Sequence, residues 1–299
     1  MAPERDIRPS ISSQPVATGG QRNTALAGSN RILPLTRQVA LFILPFLLAA
    51  WAILYLFPQR SAELFAWPVN PAMTARLMAS GYLAGAYFFW RTATIQDWRR
   101  VKNGFVPVAF FAALMALSTG LHWDRFTPGH ISFLTWVALY ALTPLLVLGV
   151  WLRNRPADSG SFAAHDARVP DAVRWVIGLV GAGLALACLV AYSRPEWMIG
   201  LWPWTLTPLT ARASLGFIIL PAITEVTLAR DPRWSTWRVI LQGQIIALAL
   251  ILLAVVLSWA DFNPANPATW IVLGGLGVIL GFNLLFYRWM ESRLKAAAD

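Results

Sequence analysis

Six intervals without Asp, Glu, Lys or Arg constrain this chain most: residues 38–59, 103–123, 126–152, 175–193, 239–260 and 262–287, each 19 to 27 residues long. A helix of about 20 predominantly apolar residues matches the hydrocarbon thickness of a bilayer. The length of 299 residues would also accommodate soluble domains, but only 13% of the residues are charged. Soluble domains carry about 25%, so this surface is too poor in charge to face water all round. Two shorter intervals, 77–90 and 213–224, reach span length when each helix starts at the preceding Thr-Ala-Arg. Arg76 or Arg212 then sits at the interface, where a long side chain snorkels to water. The sequence predicts an all-α polytopic integral membrane protein with eight transmembrane helices.

Lys and Arg in the connecting segments set the expected orientation. Nineteen fall in the N-terminal segment, around 91–102, 153–174 and 230–238, and after 287; five (Arg60, Arg76, Arg125, Arg194, Arg212) fall in the alternate segments. This bias predicts cytoplasmic N- and C-termini in a plasma (inner) membrane. It also accounts for the formal charge of +10 without nucleic acid, since anionic membrane lipids are the natural counter-charge. Residues 1–36 begin with a polar, aperiodic stretch and read as a disordered cytoplasmic tail. The first apolar run ends in Phe57-Pro58-Gln59-Arg60 rather than a small-residue cleavage site, so it reads as the first span.

The chain also matches itself. At an offset of 136 residues, Thr74-Ala75-Arg76 falls on Thr210-Ala211-Arg212, and Trp98, Trp123, Phe126 and Pro128 fall on Trp234, Trp259, Phe262 and Pro264. Small shifts bring Trp67-Pro68 onto Trp202-Pro203. Tryptophan is common at span ends, but that does not explain Thr-Ala-Arg at the same phase. The expected organisation is a first four-helix repeat at 37–153, a cytoplasmic linker at 154–172, a second four-helix repeat at 173–289 and a cytoplasmic tail at 290–299. Because each unit holds an even number of spans, the repeats are expected to be parallel. The Pro- and Trp-rich pieces before the second and sixth spans read as short interfacial helices, with Asn70 and Thr207 as candidate N-caps.

The stretch Trp202-Pro203 through Thr207-Pro-Leu-Thr-Ala-Arg212 resembles one in uncharacterised bacterial multi-span membrane proteins. The resemblance implies a membrane protein of that layout and brings no activity or site residue with it.

Three kinds of residue are candidates for chemistry. Arg76 and Arg212 are repeated cations near the outer ends of spans, where two guanidiniums can hold a carboxylate or phosphate. The favoured alternative is structural: ion pairs of Arg76 and Arg212 with Asp124 and Asp261. Glu225 lies inside the sixth span, where a carboxylate is a functional candidate by default; an ion pair with Arg230 or Arg91 is the bland reading. His122 and His130 flank an outer loop and are weak metal candidates, better read as interfacial anchors. No cofactor is expected, and Cys188 reads as a small apolar packer. No nucleotide loop, metalloprotease motif or nucleophile elbow is present in the sequence, which places an enzyme behind two other classes. One is a protein that binds or transports a lipophilic or anionic amphiphilic small molecule between two pseudo-symmetric halves, using Arg76, Arg212 and Glu225. The other is a structural or accessory subunit of a membrane complex, with other membrane subunits as partners.

Overall fold

The computed structural model describes residues 27–296, and among them the chain is helical, with two isolated β-bridges and no strand. Eight helices have 20 residues or more: α1 (Pro34–Leu56), α3 (Ala72–Thr94), α4 (Lys102–Leu121), α5 (Ile131–Asn154), α6 (Asp171–Ser193), α8 (Pro208–Ala229), α9 (Trp234–Leu257) and α10 (Pro267–Ala296). Two short ones, α2 (Ser61–Leu64) and α7 (Pro195–Leu201), precede α3 and α8. Seven of the eight long helices are long and apolar enough to cross a membrane. The exception is α3, whose Ala, Gly, Ser, Thr and Tyr residues dilute its apolar character. It nevertheless occupies an interior position, packed against α1, α9 and α8.

Local sequence explains where helices begin. Pro34, Pro195 and Pro208 each occupy a first-turn position, where a missing N–H is no loss. Thr207 caps α8 in a full capping box with Thr210, as its sequence position indicates. Asn70 does not cap α3: Pro71 stands at the cap position and offers no side-chain bond. Pro45, Pro107, Pro144 and Pro221 lie inside long helices, which apolar surroundings tolerate when neighbouring groups satisfy the freed carbonyls.

α1 packs along α3, and α6 along α8; α4 lies against α5 and α8, and α9 against α3 and α10. At the centre α3 crosses α8. A Cβ at Gly81 would overlap the Phe217 ring, and one at Gly216 the Met115 methyl. Phe217 in turn packs against Tyr82 and Phe111 at ring-centroid distances of 5.1 and 4.8 Å. Glycine here permits close helix approach and large side chains fill the remaining space.

Two expected boundaries move. Residues 1–26 of the expected tail lie outside the described residues, but 30–32 pair with the α3–α4 loop: Trp98 N–H donates to Asn30 O (2.7 Å) and Ile32 N–H to Gln96 O (3.0 Å). Asn154 extends this tie by accepting from Leu33 N–H and Thr36 Oγ1. α10 continues to Ala296, past the expected repeat end at 289, because Ser292, Leu294 and Lys295 are compatible with helix and Glu291 bonds Trp234 and Arg238. Residues 297–299 lie outside the described residues.

Candidate functional site

Both repeated arginines are engaged, but not with carboxylates. Arg76 donates from Nε to Tyr55 O (3.4 Å) and from Nη1 to Leu257 O (3.0 Å) and Ser258 Oγ (2.5 Å). Arg212 donates from Nε to Tyr192 O (3.1 Å) and from Nη1 to His122 Nε2 (2.7 Å). Asp124 instead pairs with exposed Arg125 at 3.1 Å, and Asp261 accepts Met73 N–H at 2.8 Å. The expected ion pairs of Arg76 and Arg212 with Asp124 and Asp261 are therefore corrected: among the described residues neither guanidinium lies within 4 Å of a carboxylate. The physical reason is that Tyr55, Tyr192 and Leu257 sit in the last turns of α1, α6 and α9, where carbonyls lack intrahelical donors and carry the negative end of the helix dipole.

His122 lies just beyond α4 and accepts from Arg212, which requires its neutral form. Burial, and then the Arg212 guanidinium, pushes its imidazole below the usual histidine value. His130 Nδ1 lies 3.1 Å from Ser132 Oγ. Among the described residues no group of three or more His, Cys, Asp or Glu side chains is placed to hold a metal ion.

Glu225 on α8 accepts from Gln244 Nε2 on α9 at 2.7 Å and packs over Gly181 of α6. Neither Arg91 nor Arg230 is its partner; Arg91 reaches Tyr87 Oη at 3.3 Å instead. Gln244 and its neighbour Gln242 also fasten α10. Asn283 Nδ2 donates to Gln244 Oε1 at 3.5 Å, Gln242 Nε2 donates to Tyr287 Oη at 2.7 Å, and Tyr87 Oη donates to Gln242. These amides escape a search that counts formal charge alone; scanning the uncharged intervals for Asn and Gln finds them.

A second cluster unforeseen from sequence lies at the linker end. Asp158 of the linker takes bonds from Lys102 Nζ (2.5 Å) at the start of α4 and from Arg233 Nη1 (2.8 Å) before α9. Asp231 takes Lys102 at 2.7 Å and Arg233 at 2.6 Å. Burial pushes the Asp158 carboxyl up, but the hydrogen bonds from Arg233 and Lys102 outweigh it and hold it well below the usual carboxylate range; Asp231 is lowered by the same balance. Arg99 and Arg233 both also donate to the Ser161 carbonyl. Two cations and two carboxylates make this cluster neutral, as burial at that depth requires.

At the opposite end a cleft of about 420 Å³ opens between Asn70–Pro71–Ala72 on one side and Thr205–Leu206–Thr207 with Asp261 on the other. A second hollow of about 320 Å³ shares Thr205, Leu206 and Asp261 and is walled by Trp202, Trp204 and Phe262. Arg76, Arg212 and Glu225 line neither. The structure does not bring these three sequence candidates together in one site.

Comparison of the chain with family models, curated proteins and solved structures finds no match.

Proposed function

We propose that this chain crosses the inner membrane eight times as two parallel four-span repeats and serves as a rigid accessory subunit of a membrane complex. The observation that carries the accessory reading is the filled seam between the halves, where Gly81 of α3 meets Phe217 of α8 and Gly216 of α8 meets Met115 of α4. A conduit between the halves would have to pass there, and close-packed side chains occupy it. The guanidiniums of Arg76 and Arg212, spent on backbone carbonyls and on Ser258 and His122, argue against an anion held between them.

Recurring bonds support the repeat. Arg76 reaches Ser258, and 136 residues on, Arg212 reaches back to His122. Tyr55 Oη donates to Leu250 O and Tyr192 Oη to Leu114 O. Val169 N–H donates to Pro232 O and Trp234 N–H to Ala167 O, repeating the Ile32 and Trp98 bonds at the linker end. Each of these arginines and tyrosines bonds a partner in the other half, a reciprocal pattern that fits a twofold relation between the repeats. Trp67 packs on Phe126 and Trp204 on Phe262, both at 5.0 Å, so by contact Trp204 rather than Trp202 is the counterpart of Trp67.

The test is photocrosslinking in intact membranes from outward positions Leu179 on α6 and Leu285 on α10, which are 68% and 72% exposed. A discrete protein adduct from one of these positions, absent when the probe replaces buried Ile219, is the expected result. Lipid adducts alone at both would overturn the accessory reading.

A further inference from the structure

We propose that the cleft beside Asp261 binds an ammonium group, carried either by an ethanolamine lipid headgroup or by a free primary amine. Asp261 uses one carboxylate oxygen, Oδ2, to accept Met73 N–H and so cap α3, which has no cap of its own. A neutral Asn would cap as well, so capping does not account for the charge. Its sequence counterpart Asp124 is followed by Arg125 and pairs with it. Asp261 is followed by Phe262, and among the described residues no basic side chain lies within 4 Å of it.

The lining selects for a cation. In a chain with 24 Lys and Arg, none lines the cleft or the hollow beside it. Exposed Gln59, Asn70 and Thr205 line the cleft; each carries a side-chain oxygen able to accept, and a primary ammonium has three N–H donors to share between a carboxylate and such oxygens. The adjoining wall consists of rings packed edge to face, Trp202 to Trp204 at 5.1 Å and Trp204 to Phe262 at 5.0 Å, and aromatic groups attract organic cations. The cleft volume of about 420 Å³ falls in the range of small-molecule sites. α7 ends beside the adjoining hollow, which Ile199 and Trp202 line, with Trp197 and Leu201 exposed at 57% and 73%. That apolar surface next to a polar cleft suits a lipid whose headgroup enters while its chains stay outside.

The test uses the full-length protein purified in a neutral detergent, with lipid retention read by native mass spectrometry and folding by thermal unfolding. Phosphatidylethanolamine is expected to be retained about tenfold better than phosphatidylglycerol, and Asp261→Asn to abolish that preference while keeping the melting temperature, because the amide oxygen still accepts Met73 N–H. Asn70→Trp, which fills the cleft without touching the carboxylate, is expected to do the same, and Asp124→Asn to do nothing. If free ethanolamine displaces the lipid, the ammonium alone suffices; if ethanolamine stabilises the protein while the lipid is not retained, the source is a soluble amine. Equal retention of both lipids with no ethanolamine effect overturns the proposal. So does an unchanged preference in both cleft variants, or an equal loss in Asp124→Asn. None of these outcomes depends on whether a partner subunit is found.

Discussion

His122 and Ser258 do the same task for opposite arginines: each accepts from the guanidinium of the other half. Only one of the two titrates near neutrality. Because the folded state lowers the His122 pKa, the fold favours neutral imidazole. Its contribution is present above the ordinary histidine value of about 6.5 and is lost as pH falls through the lowered folded value. As pH falls below about 6.5 the melting temperature in detergent is therefore expected to fall, and His122→Ser, which copies the other half, is expected to flatten that dependence. A dependence as steep in the variant as in the wild type would assign it to another group. Arg76→Ala and Arg212→Ala each strand helix-end carbonyls, at about 1–3 kcal/mol per buried unpaired group; both should melt earlier than wild type. Both arginines are conspicuous in the sequence. Their partners are not, because Asp124 and Asp261 carry formal charge that can be read from letters, whereas the carbonyls of Tyr55, Tyr192 and Leu257 carry partial charge that exists only at finished helix ends.

The linker is an element that sequence reads as spacer and structure shows as clasp. Its Asp158 ties Lys102 to Arg233, its Ser161 carbonyl receives Arg99 and Arg233, and its Asp166 caps α9 through Ser235 N–H at 2.9 Å. Replacing Asp158 by Asn leaves Asp231 facing two cations in a site where Arg233 is only 4% exposed. Breaking one partner from such a cluster costs about 3–5 kcal/mol, and the remaining Asp231 sets the expectation at the lower end, read as a drop in melting temperature. Because both carboxyls are held below their usual range, their contribution is complete above about pH 4 and disappears as pH falls through the lowered values. Acid should thus release the linker, which limited proteolysis between residues 158 and 166 will report. The start of α8 was legible in Thr207, Pro208 and Thr210, because a capping box is a local pattern. The attachment of α10 through Gln242 and Gln244 was not, since which side of α9 meets α10 is a tertiary choice.

For the whole molecule, the proposed topology expects reporter fusions at Asp158 and after residue 296 to report cytoplasm and one at Arg125 the opposite side. A cytoplasmic Arg125 would remove the eight-span arrangement. The seam between the halves has its own test. Gly81→Leu must displace Phe217, and overpacking a filled core costs about 1–3 kcal/mol. Adding Phe217→Ala should recover part of that loss by making room, a coupling that distant residues do not show. An additive double variant would mean that α3 and α8 do not meet there.

The sequence by itself determined the class of the molecule. Uncharged runs of membrane length leave a chain little choice but helix, because each helix satisfies its own backbone inside apolar surroundings. Seven helices of that kind are in place, and the eighth long helix, α3, carries the least apolar sequence of the set while occupying an interior position. Tertiary structure decided what the polar residues do. Arg76, Arg212, Glu225 and Asp261 could be picked out from the letters, but their partners come from helices up to 188 residues away along the chain. Which helix end, amide or hydroxyl meets a given charge depends on how the helices pack, and hydrophobic spacing along one helix does not encode the identity of the polar group on its neighbour.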